Sequence, residues 1–286
     1  MDVYQLDVFA PGPFRGNPLA VFPDAGDLKS EQMQAIAREM NLSETSFVTN
    51  VDADGYDARI FTPAEELPFA GHPTLGTAWL LKHLGRAPGD RVVQRTSAGD
   101  TKVRFEGDVV WFERPGHASP DLESTDTTST ANLAAALGLG EDDVGMEARE
   151  LGRSGRLMPS LSNAAYDQMM VPVKDVDALQ SIVVRPDLLG RAAIMGAYCF
   201  SAFRAGAVRA RGFFPNVGVD EDPATGSAAA ALGIYLADRL GDIDLEVIQG
   251  VEINRPSSIL VRGRSGTVQV GGRCEMVLEG RLVSLP

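Results

Sequence analysis

His72-Pro73-Thr74-Leu75-Gly76-Thr77-Ala78 runs into the apolar stretch Trp79-Leu80-Leu81, and Asp222-Pro223-Ala224-Thr225-Gly226-Ser227-Ala228 runs into Ala229-Ala230-Ala231-Leu232. The two superpose 150 positions apart as His/Asp-Pro-x-x-Gly-Thr/Ser-Ala. Upstream, Phe61-Thr62-Pro63 is matched by Phe213-Phe214-Pro215 at a separation of 152, which a two-residue difference in the intervening loop accounts for. A period of about half the chain is far too long for a solenoid and predicts two copies of one domain.

Each copy has the features of a helix start. Pro is favoured at the first helical position and Asp is a good N-cap. The run behind each motif is apolar on nearly every side, which predicts a buried helix. The free N–H groups of such a start favour an anion. Two of them facing each other across a pseudo-twofold axis would hold a small carboxylate; the plainer alternative is that His-Pro and Asp-Pro merely cap two core helices.

The 286 residues suffice for two domains, and 44% hydrophobic with 23% charged residues is a globular composition. A net charge of −13 argues against nucleic acid or an anionic membrane as partner. No apolar stretch is long enough to span a bilayer, and no signal peptide is expected at Met1-Asp2-Val3-Tyr4-Gln5, so a cytoplasmic location is the default expectation. Cys199 and Cys274 make no disulfide framework.

Alternation and turn residues predict many short strands, with an amphipathic helix over Ser30–Met40 that Ser30 caps. In the second half a strand is expected near Ala148–Gly152, another near Ala193–Phe203, and helical stretches around Val176–Val183 and Leu188. The segment 119–129, rich in Ser, Thr and Asp, is the expected linker. It separates an N-terminal domain over 1–118, completed by a C-terminal strand at about 275–286, from a C-terminal domain over 130–274. The predicted class is α/β, each domain a curled sheet around one buried helix.

Metal, P-loop and dinucleotide motifs are missing: there is no His-x-x-x-His or Cys-x-x-Cys, and Gly138-Leu139-Gly140 follows a helical stretch instead of a strand. Ser227 is not in a Gly-x-Ser-x-Gly elbow. Acid–base chemistry remains. Glu44, in Asn41-Leu42-Ser43-Glu44-Thr45-Ser46-Phe47-Val48, sits between a helix end and a strand, as a solvated loop residue, a capping partner of Asn41, or a catalytic carboxylate. The second half has no acid in Tyr198-Cys199-Phe200-Ser201, taken as the equivalent place. One unmatched carboxylate, with His72 and Asp222 as the differing pair at the twin helix starts, fits a single general base.

Gly16-Asn17-Pro18-Leu19-Ala20-Val21, Asn41 to Val48, Pro68-Phe69-Ala70-Gly71-His72-Pro73-Thr74, Glu221 to Ala228, and Gln249-Gly250 with Arg255-Pro256-Ser257 together resemble the phenazine biosynthesis PhzF-like family over nearly the whole chain. The resemblance implies the diaminopimelate epimerase-like fold: two pseudo-symmetric domains, each a barrel-like mixed sheet around a central helix, with the site between them. It implies a cofactor-independent, metal-free isomerase in which a glutamate takes a proton from carbon of a small carboxylate-bearing substrate. Carried over by motif, Glu44 is that base, with His72, Asp222 and Ser227 as further catalytic groups. Asn17, Ser43, Gly71, Thr225 and Gly226 would bind substrate, and a homodimer is implied. Related epimerases use two cysteines; Cys199 and Cys274 fall outside the motifs, which disfavours that chemistry. A pocket that binds without turnover, and a racemase or epimerase using Glu and a hydroxyl, are the alternatives.

Overall fold

The structure, a computed structural model, describes residues 1–87, 89–121, 129–192 and 196–286. The chain divides into two units, Met1–Glu113 with Gly271–Pro286, and Arg114–Val270. Unit 1 contains β1 (Asp2–Val8), β2 (Asn17–Phe22), α1 (Ser30–Met40), β3 (Glu44–Val51), β4 (Gly55–Phe61), β5 (Glu66–Leu67), α2 (Gly71–His83), β6 (Arg91–Thr96), β7 (Gly99–Glu106) and β8 (Val109–Pro115). Unit 2 contains β9 (His117–Ala118), α3 (Thr130–Leu137), β10 (Met146–Glu147), β11 (Arg156–Leu157), β12 (Ser160–Asn163), β13 (Asp167–Pro172), α4 (Val176–Gln180), α5 (Pro186–Ala192), β14 (Ala197–Arg204), β15 (Ala207–Phe214), β16 (Val219–Asp222), α6 (Gly226–Leu240), β17 (Ile243–Gln249), β18 (Ser257–Arg264) and β19 (Thr267–Gly272). The last strand, β20 (Cys274–Arg281), pairs antiparallel with β1 from Asp2↔Arg281 to Val8↔Cys274 and so belongs to unit 1.

The duplication is carried by strand pairing as well as by sequence. In unit 1, β1–β2 is antiparallel, β2–β3 parallel, β3–β4 antiparallel, β4–β6 parallel and β6–β7 antiparallel. In unit 2 the same alternation runs through β12–β13, β13–β14, β14–β15, β15–β17 and β17–β18. A parallel pair needs a long crossover. Helix α1 supplies it between β2 and β3, and α2 between β4 and β6; α4 with α5, and α6, do the same in unit 2.

Helices α2 and α6 are buried on nearly every side, as expected of runs without a polar face. A Cβ on Gly76 would lie 2.5 Å from Leu19 Cδ2 and 2.8 Å from Val8 Cγ2, so glycine lets α2 press on β1 and β2. Gly233 does likewise for α6 against Val261 and Val268. The other face of the first sheet is covered by α1, whose Met33, Ile36 and Ala37 pack with Ala20, Phe22, Phe47 and Phe61.

Several expectations shift. The α1 bounds agree, but Lys29 precedes the first turn and Gln32 Oε1 accepts its N–H at 3.1 Å; Ser30 is inside the helix. Ala148–Leu151 is a 3₁₀ turn, because Gly152 ends it in the left-handed region at φ 73°. The strand expected from Ala193 begins at Ala197, and residues 193–195 lie outside the described ones. The expected break at 118 stands nearer 113, since β9 pairs with β12 of unit 2; most of the expected linker 119–129 lies outside the described residues. Among the described residues no helix is long and apolar enough to cross a membrane.

Candidate active site

Helix α1 ends at Asn41, which takes the left-handed conformation (φ 49°) that Asn tolerates, and β3 begins three residues later at Glu44. Glu44 is therefore a strand residue, neither a loop glutamate nor a cap. Its register partner on β2 is Leu19. Side chains alternate along a strand, so Glu44 shares a face with Ser46, whose hydroxyl accepts from Thr77 Oγ1 on α2 at 2.8 Å. Two strand residues advance about 6.6 Å and five helical residues about 7.5 Å. Going back from the Ser46–Thr77 contact by those steps brings Glu44 opposite His72, and their Oε2 and Nε2 atoms are 3.5 Å apart. Asn17 and Ser43 join them: Ser43 Oγ donates to Asn17 Oδ1 at 3.0 Å, and Asn17 is fully buried at the start of β2. Gly71 opens the helix beside His72.

This contact is not an ion pair. Burial pushes the His72 pKa down to about 3, the Pro18 carbonyl hydrogen bond only partly offsetting it. The ring is neutral. Nε2 makes no hydrogen bond, so the N–H that Pro18 accepts is Nδ1–H and the Nε2 lone pair is turned toward Glu44. The residue before helix α2 is Ala70, so no cap side chain accepts from its first amides.

In unit 2, Asp222 ends β16 and is 7% exposed. Its Oδ2 accepts from Thr225 Oγ1 at 2.5 Å. The expectation that Asp222 caps the helix with Pro223 at its first position is overturned: α6 starts at Gly226, after Thr225, again without a side-chain cap. The cause is Gln249, whose Nε2 takes the Asp222 carbonyl at 2.8 Å and keeps the chain from winding there. Similarly α2 starts at Gly71, one residue before His72. Ser227 is half-buried, whereas its counterpart Thr77 is buried and bonded to Ser46.

Strand pairing also corrects the place equivalent to Glu44. Thr45 faces Phe61 as Ala197 faces Phe213, so the counterpart of Glu44 is Gly196, two residues before Tyr198. A Cβ there would lie 2.1 Å from the Phe213 carbonyl oxygen, and φ is +137°. No acid fits. Both cysteines are buried and their thiols are pushed up by burial, so neither presents a thiolate. Neither Tyr198 nor Gln249 stands out in the sequence as a site residue, although Gln249-Gly250 lies in a motif that carries the resemblance; their link to Thr225 is tertiary and leaves no local pattern.

The model of the phenazine biosynthesis-like proteins, PhzC-PhzF, matches residues 6–280. The chain is 38% identical over 290 residues to the trans-2,3-dihydro-3-hydroxyanthranilate isomerase of Pseudomonas aeruginosa, covering 96% of this chain and 97% of that protein. It is 36% identical over 284 residues to an uncharacterized isomerase of Pasteurella multocida, covering 98% and 93%. The crystal structure of the Bacillus anthracis phenazine biosynthesis protein of the PhzF family has the same fold, with a TM-score of 0.84 at 23% identity and 99% of each chain covered. The sheet-wrapped helices, the paired motifs and these matches agree: the chain belongs to the phenazine biosynthesis-like PhzC-PhzF family, a family of isomerases.

Proposed function

We propose that the protein is a cofactor-independent isomerase that shifts a proton between carbons of a small carboxylate-bearing substrate, with Glu44 as the base. The observation that carries this is the Glu44–His72 pair, with a neutral imidazole 3.5 Å from a half-buried carboxylate. Low proton affinity disqualifies His72 as the base and suits it to a second task. When Glu44 takes a proton from carbon, the new O–H finds the Nε2 lone pair a few tenths of an ångström beyond hydrogen-bond distance. A small approach closes that bond and stabilises the protonated acid. After exchange with solvent, a proton is returned to another carbon of the substrate, so charge balances without a metal or redox partner. The uncapped first turns of α2 and α6 suit carboxylate binding, and Asn17, Ser43, Gly71, Thr225 and Gly226 are the assigned binding residues. Asp222 and Ser227 are the further groups assigned to moving the proton; a buried carboxylate hydrogen-bonded to Thr225 and a half-buried hydroxyl support that.

The reading is tested by proton NMR in D₂O, with trans-2,3-dihydro-3-hydroxyanthranilate as first probe and a panel of small cyclic amino- and hydroxy-carboxylates behind it. Conversion with deuterium entering at carbon is expected. Neither conversion nor deuteration of any compound would overturn it. A two-thiol epimerase is opposed by the buried, protonated cysteines.

A further inference from the structure

Gln249, the last residue of β17, is fully buried, and every hydrogen-bonding position of its side chain is used. Oε1 accepts from Tyr198 O–H at 2.8 Å and from the Thr225 backbone N–H at 3.1 Å. Nε2 donates to the Asp222 carbonyl at 2.8 Å and to Thr225 Oγ1 at 3.0 Å. A flipped amide would set its NH₂ against the Thr225 N–H, which can only donate, so one orientation is enforced. Because Thr225 Oγ1 accepts from Gln249, its single hydrogen is committed to Asp222 Oδ2, 2.5 Å away. The hydrogen bonds therefore run in one direction, from Tyr198 through Gln249 and Thr225 to the Asp222 carboxylate.

The backbone makes room for this arrangement. A Cβ on Gly212 would come within 3.1 Å of Thr225 Oγ1 and 3.2 Å of Gln249 Nε2. Gly250 is left-handed at φ +74°, and a Cβ there would lie 2.5 Å from the Pro223 carbonyl oxygen. Ser257 Oγ lies 3.0 Å from the Pro223 carbonyl and 3.1 Å from that of Gln249, joining the turn to the strand end from the other side. Unit 1 holds its helix differently: Gln94 on β6 meets the side chain of Thr74, while Tyr56 O–H donates to the Thr74 carbonyl at 3.2 Å. There the bonds end within the first turns of α2, and no carboxylate is reached.

We infer that Gln249 is a positioning residue of the isomerisation, ordering the Thr225 hydroxyl hydrogen onto Asp222 and clamping the start of α6 to β17. This rests on the reading that Asp222 serves turnover. Tyr198, whose hydroxyl burial keeps protonated, is the donor that fixes Gln249 in turn.

The test is a double-mutant cycle on a compound that the wild-type enzyme deuterates. Gln249→Met is expected to lower kcat about 10-fold with KM changed less than about twofold, and to cost less than about twofold once Asp222→Asn is present. Tyr198→Phe, which removes one hydroxyl and keeps the ring, is expected to show the same non-additivity and serves if Gln249→Met does not fold. Additive losses, or a loss in Gln249→Met while Asp222→Asn turns over at the wild-type rate, would overturn the inference. A second readout needs no turnover. The Thr225 amide is expected to exchange with D₂O about 10-fold faster in Gln249→Met, a loss of protection of about 1.4 kcal/mol. Unchanged exchange would remove the clamp whatever becomes of the isomerase reading, while failure of that reading alone shows as wild-type protein that deuterates nothing yet keeps a Gln249-dependent Thr225 amide.

Discussion

At His72 the balance of two opposed effects sets the chemistry. Burial pushes its pKa from an ordinary 6.5 down to about 3, outweighing the Pro18 hydrogen bond. Between those two values the unfolded chain binds a proton that the native state refuses, so stability falls as pH drops through the window. The slope from this one group approaches about 1.4 kcal/mol per pH unit. His72→Asn removes it. Urea unfolding at pH 6.5 and 4.5 is expected to show wild-type protein losing about 2 kcal/mol more than the variant; parallel losses would mean that His72 is not neutral by burial. Glu44 and His72 were legible in the sequence, one as an unmatched acid and the other from its place in a repeated motif. Their contact was not, because it depends on which way α2 runs along β3. Asp222 was misread as a cap for a related reason: the Gln249 side chain that holds its carbonyl comes from a strand 27 residues further on.

Among the elements, β3 and β14 occupy the same place in the same pairing scheme, yet β3 opens on Glu44 whereas the position aligned with it, just before β14, carries no side chain. Gly196 stands where Glu44 would recur, left-handed and pressed on the Phe213 carbonyl. Gly196→Ala combines backbone strain with a clash that backbone atoms cannot relieve by rotating. The expected cost is more than about 2 kcal/mol, read as a lowered Tm with the far-UV spectrum of the folded state retained. An unchanged Tm would show that β14 can adjust, and the absence of a second acid would then need another cause. The bounds of α1 and the burial of α2 and α6 followed from periodicity and from the missing polar face. The starts of α2 and α6 did not; at α6 the Gln249 side chain, from a distant strand, holds the Asp222 carbonyl.

Over the whole molecule, two copies of one pairing scheme have been put to unequal use. Unit 1 carries the acid and imidazole, and its hydroxyl Thr77 is bonded to Ser46; unit 2 carries no acid at Gly196 and leaves Ser227 half-exposed. The duplication was visible in the repeated motif, and the many short strands around one buried helix per half in alternation and apolar runs, because these follow from local composition. The division of labour between the copies was visible only in part, since it follows from register. The central claim is that one carboxylate, Glu44, removes hydrogen from carbon, and the most direct measurement compares solvent deuterium entering substrate in wild-type protein and in Glu44→Gln. A fall of about 100-fold or more with an unchanged fold is expected for a lost general base; deuterium entering at the wild-type rate would contradict it.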